Sequence, residues 1–171
     1  MTSPPRILLV GMMGAGKTTV GRAVSARTGW RYLDNDELVQ RATGKPTPEV
    51  LGEADETTLR RAEDAALDEA LAIAPPVVAG VAAGVIENAD ARERMQQEAF
   101  VVYLRAPLEV LTARVGDGEG RPWLAEDAAD ALARLFDGRG PLYEEVADLV
   151  LDVADATPAD LAAQVVEAVG R

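Results

Sequence analysis

The side chains able to do chemistry in this chain are carboxylates, amines, guanidinium groups and hydroxyls, because the sequence contains no histidine and no cysteine. Any general base is therefore a carboxylate, and any cationic stabiliser is a lysine or arginine. Thiolate metal sites, disulfides and cysteine nucleophiles are excluded. The densest group of reactive residues is Gly11-Met12-Met13-Gly14-Ala15-Gly16-Lys17-Thr18, followed by Thr19. This is a complete G-x-x-x-x-G-K-[ST] phosphate-binding loop. Successive backbone N–H groups there, with the positive end of a following helix, make a nest for phosphate oxygens. Lys17 is placed to reach the β and γ phosphates of ATP, and the Thr18 hydroxyl to hold Mg²⁺.

Two aspartates one residue apart, Asp34 and Asp36, come next. In a Mg-ATP site one such carboxylate holds metal-bound water and the other accepts the hydrogen of an attacking hydroxyl. Asp36 could equally cap the helix that runs to Thr43. Arginines at 60, 121 and 139 suit two tasks, forking onto a substrate carboxylate and neutralising a phosphoryl group in flight. Glu56 and Asp64, four residues either side of Arg60, offer it helical ion pairs instead. Arg121 sits in residues 116–126, a polar, glycine-rich stretch without periodicity that reads as a mobile loop and a candidate lid.

These groups need a scaffold. Short apolar runs at 7–10, 31–33, 77–79, 100–104 and 149–153 read as five strands,. Helical patterns at 18–28, 59–74, 88–97, 108–115 and 158–169 separate them. That alternation predicts an α/β fold in three layers, a five-stranded parallel sheet flanked by helices. It places the loop after the first strand and the aspartates after the second at the C-terminal sheet edge, where open α/β sheets bind ligands. With 171 residues, no repeat and no linker, the chain reads as one domain able to bury a core without metals or disulfides.

A net charge of −12 opposes nucleic acid as a partner, since its phosphates are repelled by most of the surface. No run of about 20 apolar residues predicts a membrane span, and the N-terminus lacks the apolar region of a signal peptide. The expectation is a soluble, cytoplasmic protein, read as a monomer.

Taken together these residues resemble the shikimate kinase family of the nucleoside-monophosphate-kinase-like P-loop group. The similarity runs nearly end to end. The loop at 11–18 matches, as does Asp34-x-Asp36. Asp55-Glu56-Thr57-Thr58-Leu59-Arg60-Arg61-Ala62-Glu63 resembles G-E-x-x-F-R-x-x-E; Arg121-Pro122-Trp123-Leu124 resembles the lid motif R-P-L-L; Arg139-Gly140-Pro141-Leu142-Tyr143 resembles R-x-P-L-Y.

The resemblance implies that Gly11, Gly14, Ala15, Gly16, Lys17, Thr18 and Thr19 bind ATP, with Arg114 on the adenine face. It implies that Asp34 serves the Mg²⁺ shell beside Thr18. Asp36 holds the acceptor hydroxyl, and Arg60 and Arg139 grip the acceptor carboxylate. Arg121 covers the transferring phosphoryl from the lid. The acceptor subregion then spans about residues 34–64, and Lys17, Asp36 and Arg121 carry the catalysis.

One departure stands out. The family carries Gly-Gly-Gly after the third strand, whereas this chain reads Gly80-Val81-Ala82-Ala83-Gly84, aligned so that Val81, Ala82 and Ala83 face the three glycines. Glycine permits positive φ and close backbone approach, and a β-branched residue there costs strain or redirects the chain. Val81 and Ala82 are thus expected at the acceptor. The leading expectation is ATP-dependent phosphorylation of a shikimate hydroxyl. A related carboxylated cyclitol, another small alcohol, or nucleotide binding with a degraded acceptor site are the alternatives.

Overall fold

The computed structural model describes residues 5–46, 56–115 and 128–170. Residues 116–127, with Arg121 and Trp123 of the expected lid, and residues 47–55, between the aspartates and Arg60, lie outside them. The described residues form five strands and seven α-helices: β1 (Arg6–Val10), α1 (Lys17–Thr28), β2 (Arg31–Leu33), α2 (Asn35–Thr43), α3 (Glu56–Ala72), β3 (Val77–Gly80), α4 (Ala89–Glu98), β4 (Phe100–Arg105), α5 (Leu108–Val115), α6 (Ala128–Val146), β5 (Leu149–Asp152) and α7 (Pro158–Val169). A 3₁₀ helix, Ala83–Glu87, lies between β3 and α4.

All strand pairs are parallel, in the order β2-β3-β1-β4-β5. Ile7, Leu8, Leu9 and Val10 of the central strand are at most 1% exposed. That is why this run is continuously apolar: a parallel strand covered on both faces has no solvent side to alternate with. Burying each such side chain contributes about 1.5–3 kcal/mol. Helices α1 and α7 pack together, as do α2 and α3.

The strand expectations hold to within a residue or two. The helical pattern at 59–74 begins earlier, at Glu56, and ends at Ala72. The long helix α6 is not foreshadowed by the sequence patterns. It passes through Gly138, Gly140 and Pro141, residues that locally disfavour a helix interior. Burial of Leu132, Tyr143 and Val146 along it outweighs those local preferences.

The register decides where chemistry can happen. Leu9 pairs with Gly80, and Val81 N–H donates to the Leu9 carbonyl at 3.0 Å. Chain leaving β1 and chain leaving β3 therefore emerge side by side.

Candidate active site

Leaving β1, the chain turns through Gly11, Gly14 and Gly16, all at positive φ, and enters α1. Gly16 occupies the N-cap of α1 at φ 99°, so no side chain caps this helix, and its first turn contains no acidic residue. Its leading N–H groups are left for an anion, in accord with the helix dipole. Helix α2 is capped by Asp34, α4 by Asn88 and α7 by Thr157.

Lys17 Nζ donates to the Gly11 carbonyl at 2.6 Å and to the Met12 carbonyl at 3.1 Å, folding over the loop it belongs to. Arg114 Nη1 reaches across from α5 to the Gly14 carbonyl at 3.0 Å. Gly11 itself packs away from the ligand side: a Cβ there would lie 2.7 Å from the Leu104 carbonyl oxygen.

A cavity of about 720 Å³ opens over this loop. One end is walled by Gly14, Ala15, Gly16, Lys17, Thr18 and Thr19, with Arg114. Val153, Ala156, Pro158 and Leu161 line it as well. Asp36, Arg60, Arg139, Val81 and Ala82 line it too, joined by Asn35, Leu59, Glu63, Ala83 and Gly84. The fold thus gathers the residues singled out in sequence at 14–19, 36, 60, 81–82, 114 and 139, while Gly11 and Asp34 stand outside the lining.

The capping expectation is corrected. Asp34, not Asp36, caps α2, its Oδ1 accepting the Glu37 N–H at 2.8 Å. An aspartate in extended conformation directly before the first helical residue is the one whose carboxylate reaches back-turned N–H groups. Asp36, one residue inside the helix, is exposed and faces the cavity.

Tyr32 of β2 packs against α1. Its ring lies over Gly21 of α1, where a Cβ would sit 2.2 Å from the ring. Burial holds its hydroxyl above the ordinary tyrosine range, against the pull of the Thr18 side chain, while the Asp34 charge adds to the rise.

The ion pairs of Arg60 also differ from expectation. Glu56 does pair with it, at 3.6 Å, but its closest anion is Glu63 at 3.2 Å. Asp64 instead accepts from Asn88 Nδ2 at 3.1 Å. A residue three positions on is as near on a helix surface as one four positions on, and Glu63 points to the cavity whereas Asp64 faces the start of α4. Glu63 is only 7% exposed. Burial pushes its carboxyl above the ordinary glutamate value, and the Arg60 and Arg139 charges oppose that rise.

Arg139 is 2% exposed. Its Nη2 and Nε donate to Glu87 Oε2 at 2.9 and 3.3 Å, and its Nη1 is buried without a hydrogen-bond partner. Glu87 escaped sequence reasoning, since it falls in a 3₁₀ turn with no periodic signal. Glu63, three residues after Arg60, was legible as part of a motif but not as a wall of the cavity.

At Ala82, inside the interrupted glycine run, the backbone after β3 shows no strain. Ala82 adopts φ −57° and ψ 139°, an ordinary extended conformation for any residue. Val81 is 5% exposed and belongs to the core as well as the cavity wall. Close approach falls on the flanking glycines. A Cβ on Gly80 would lie 3.1 Å from the Tyr32 hydroxyl, and one on Gly84 would lie 1.5 Å from Arg60 Nη1.

The family model for shikimate kinase matches residues 13–170. The chain belongs to the shikimate kinase family. A shikimate kinase from Psychrobacter sp. is 34% identical over 165 residues, covering 96% of this chain and 91% of the relative. One from Acinetobacter baumannii strain AYE is 36% identical over 95% of this chain and 91% of its own. Among solved structures, shikimate kinase from Acinetobacter baumannii in complex with shikimate superposes with a TM-score of 0.87 at 35% identity, covering 97% of this chain and 92% of that one. Shikimate kinase from Aquifex aeolicus gives 0.82 at 27% identity, with 96% of both chains covered. The family's P-loop kinase fold is thus present, five parallel strands flanked by helices.

Proposed function

We propose that this chain transfers the terminal phosphoryl group of ATP to a hydroxyl of shikimate, giving shikimate 3-phosphate and ADP. The observation that carries the reading is the convergence on one cavity of a phosphate loop, a free-facing carboxylate at Asp36, and two arginines, Arg60 and Arg139. Such an array needs a donor phosphate at one end and an acceptor bearing both a carboxylate and a hydroxyl at the other. The buried, unpartnered Nη1 of Arg139 supports a ligand oxygen there, since buried donors are rarely left unpaired.

Asp36 accepts the proton of the acceptor hydroxyl as its oxygen attacks the γ-phosphorus and the bond to ADP breaks. Backbone N–H groups at 14–19 and Lys17 hold the phosphate charge in place during transfer, so their stabilisation is preorganised. Val153, Ala156 and Pro158 suit one side of an adenine, with Arg114 on its face. The family resemblance assigns the transferring phosphoryl to Arg121, which lies outside the described residues.

No cluster of three or more acidic side chains able to cage a metal occurs among the described residues. This fits Mg²⁺, which typically arrives on nucleotide phosphates and takes only one or two protein oxygens. Thr18 would supply one, and Asp34 would orient its water shell. When bound, Mg²⁺ neutralises charge on the β and γ phosphates. Val81 shares the cavity wall with Arg60, Gly84 and Arg139, which supports an open acceptor site.

The test is ADP release from Mg-ATP by purified protein with shikimate, without acceptor, and with ring compounds lacking the carboxylate. Shikimate-dependent turnover is expected, falling at least about 1,000-fold in Lys17→Met, as large charge-stabilising contributions do. Retained turnover in that variant would sink the assignment of the phosphate loop. Turnover insensitive to the carboxylate would sink that of the arginines.

A further inference from the structure

Two guanidinium groups facing one cavity repel each other, and the structure shows what offsets that repulsion. Glu63 makes its ion pair with Arg60, from the same helix, and acts on Arg139 only through its charge. The Oε2 of Glu87 touches both: Arg139 Nη2 at 2.9 Å and Nε at 3.3 Å, and Arg60 Nη2 at 3.8 Å. Among the described residues it is the hydrogen-bonded anion of Arg139. Glu87 does not line the cavity, so it grips the pair from outside the acceptor space rather than occupying it.

The turn that carries Glu87 is itself anchored. Tyr143 donates to the Ala83 carbonyl at 2.7 Å, and Arg92 Nη1 donates to the Ile86 carbonyl at 2.8 Å. Asn88, directly after it, caps α4 and donates to Asp64 of α3. The carboxylate is therefore delivered from a fixed backbone, although its side chain is about half exposed.

We propose that Glu87 is a positioning residue for the acceptor carboxylate: it holds Arg60 of α3 and Arg139 of α6 at a fixed separation that one acceptor carboxylate can span. This role rests on the acceptor reading above. It acts through the two arginines and leaves the phosphate loop untouched. Its removal therefore acts on acceptor recognition rather than on ATP or the transfer step, a split that mutant kinetics resolve.

The experiment measures kcat and the KM for shikimate and for ATP in wild type, Glu87→Ala and Glu87→Gln, with thermal unfolding of each. Glu87→Ala is expected to raise the shikimate KM about tenfold, with kcat and the ATP KM within about twofold. Glu87→Gln keeps the length and one oxygen acceptor for Arg139 but loses the shared charge, so a rise of about threefold is expected. If Glu87→Ala does not fold, the Gln variant decides by the same split. An unchanged shikimate KM in the folded variants overturns the proposal, and a lowered one overturns it too, by showing that Glu87 competes with the acceptor. Absence of shikimate-dependent turnover in wild type overturns the acceptor reading together with this role; wild-type turnover with unaffected variants overturns the role of Glu87 alone.

Discussion

Gly84 carries more of the proposed acceptor site than its lack of a side chain suggests. Its backbone lies so close to Arg60 that a Cβ would fall 1.5 Å from Nη1 and 2.3 Å from Cζ. The obstructing atoms are the far end of a flexible side chain, so Gly84→Ala moves the guanidinium rather than the backbone. Thermal stability should change little, whereas the shikimate KM should rise about tenfold, the equivalent of roughly one charge-assisted hydrogen bond. A large drop in melting temperature with an unaltered KM would show instead that the chain path gives way. The same contact explains why an interrupted glycine run is compatible with an open cavity: in this chain the close approach is at Gly80 and Gly84, and Ala82 sits in an ordinary extended conformation.

Among the elements, α7 has the most fully specified start. Thr157 accepts the Asp160 N–H, the Asp160 carboxylate accepts the Thr157 N–H, and Pro158 occupies the first turn. That reciprocal pair satisfies two otherwise orphaned donors. Thr157→Ala should cost about 1 kcal/mol, lowering the melting temperature by roughly 2–4 °C in a domain of this size. Because α7 packs on α1, a drop much larger than this would mean that the cap also secures the phosphate-loop helix. The α1 start shows the opposite design. With Gly16 as its cap and no acid in its first turn, it forgoes local stabilisation and leaves its N–H groups free of side-chain caps, as the proposed phosphate site requires.

The molecule as a whole is strongly acidic, and its buried site carboxylate gives that acidity a measurable sign. Burial raises the Glu63 pKa above the ordinary 4.5 despite Arg60 beside it. The folded state thus binds more protons at this group than the unfolded chain between the ordinary value and the raised one. Stability contributed at Glu63 is greatest at low pH and declines as pH rises through that window. Replacing the group by Glu63→Gln removes the titration, so stability of the variant relative to wild type should increase with pH across the window and level off above it. Urea unfolding of both proteins across a pH series checks this. A difference that does not vary with pH would show that Arg60 fully compensates the burial.

The phosphate loop, the paired aspartates and the alternation of strands and helices were legible in the sequence because each is written in local code: glycines at fixed spacing, a lysine after them, continuous apolar runs. The arginines at 60 and 139 were legible as residue types able to bind an anion, and as motifs of a family. Their convergence was not, since one lies on α3 and the other 79 positions later on α6. Three matters were decided only by the folded structure. Helix α6 runs through Gly138, Gly140 and Pro141 because its buried side chains override their local preference. Asp34 rather than Asp36 takes the cap because its extended backbone precedes the first helical turn. Glu87 meets both arginines because β3 and the turn after it emerge between their helices, a contact across 27 and 52 positions of chain that no local pattern encodes.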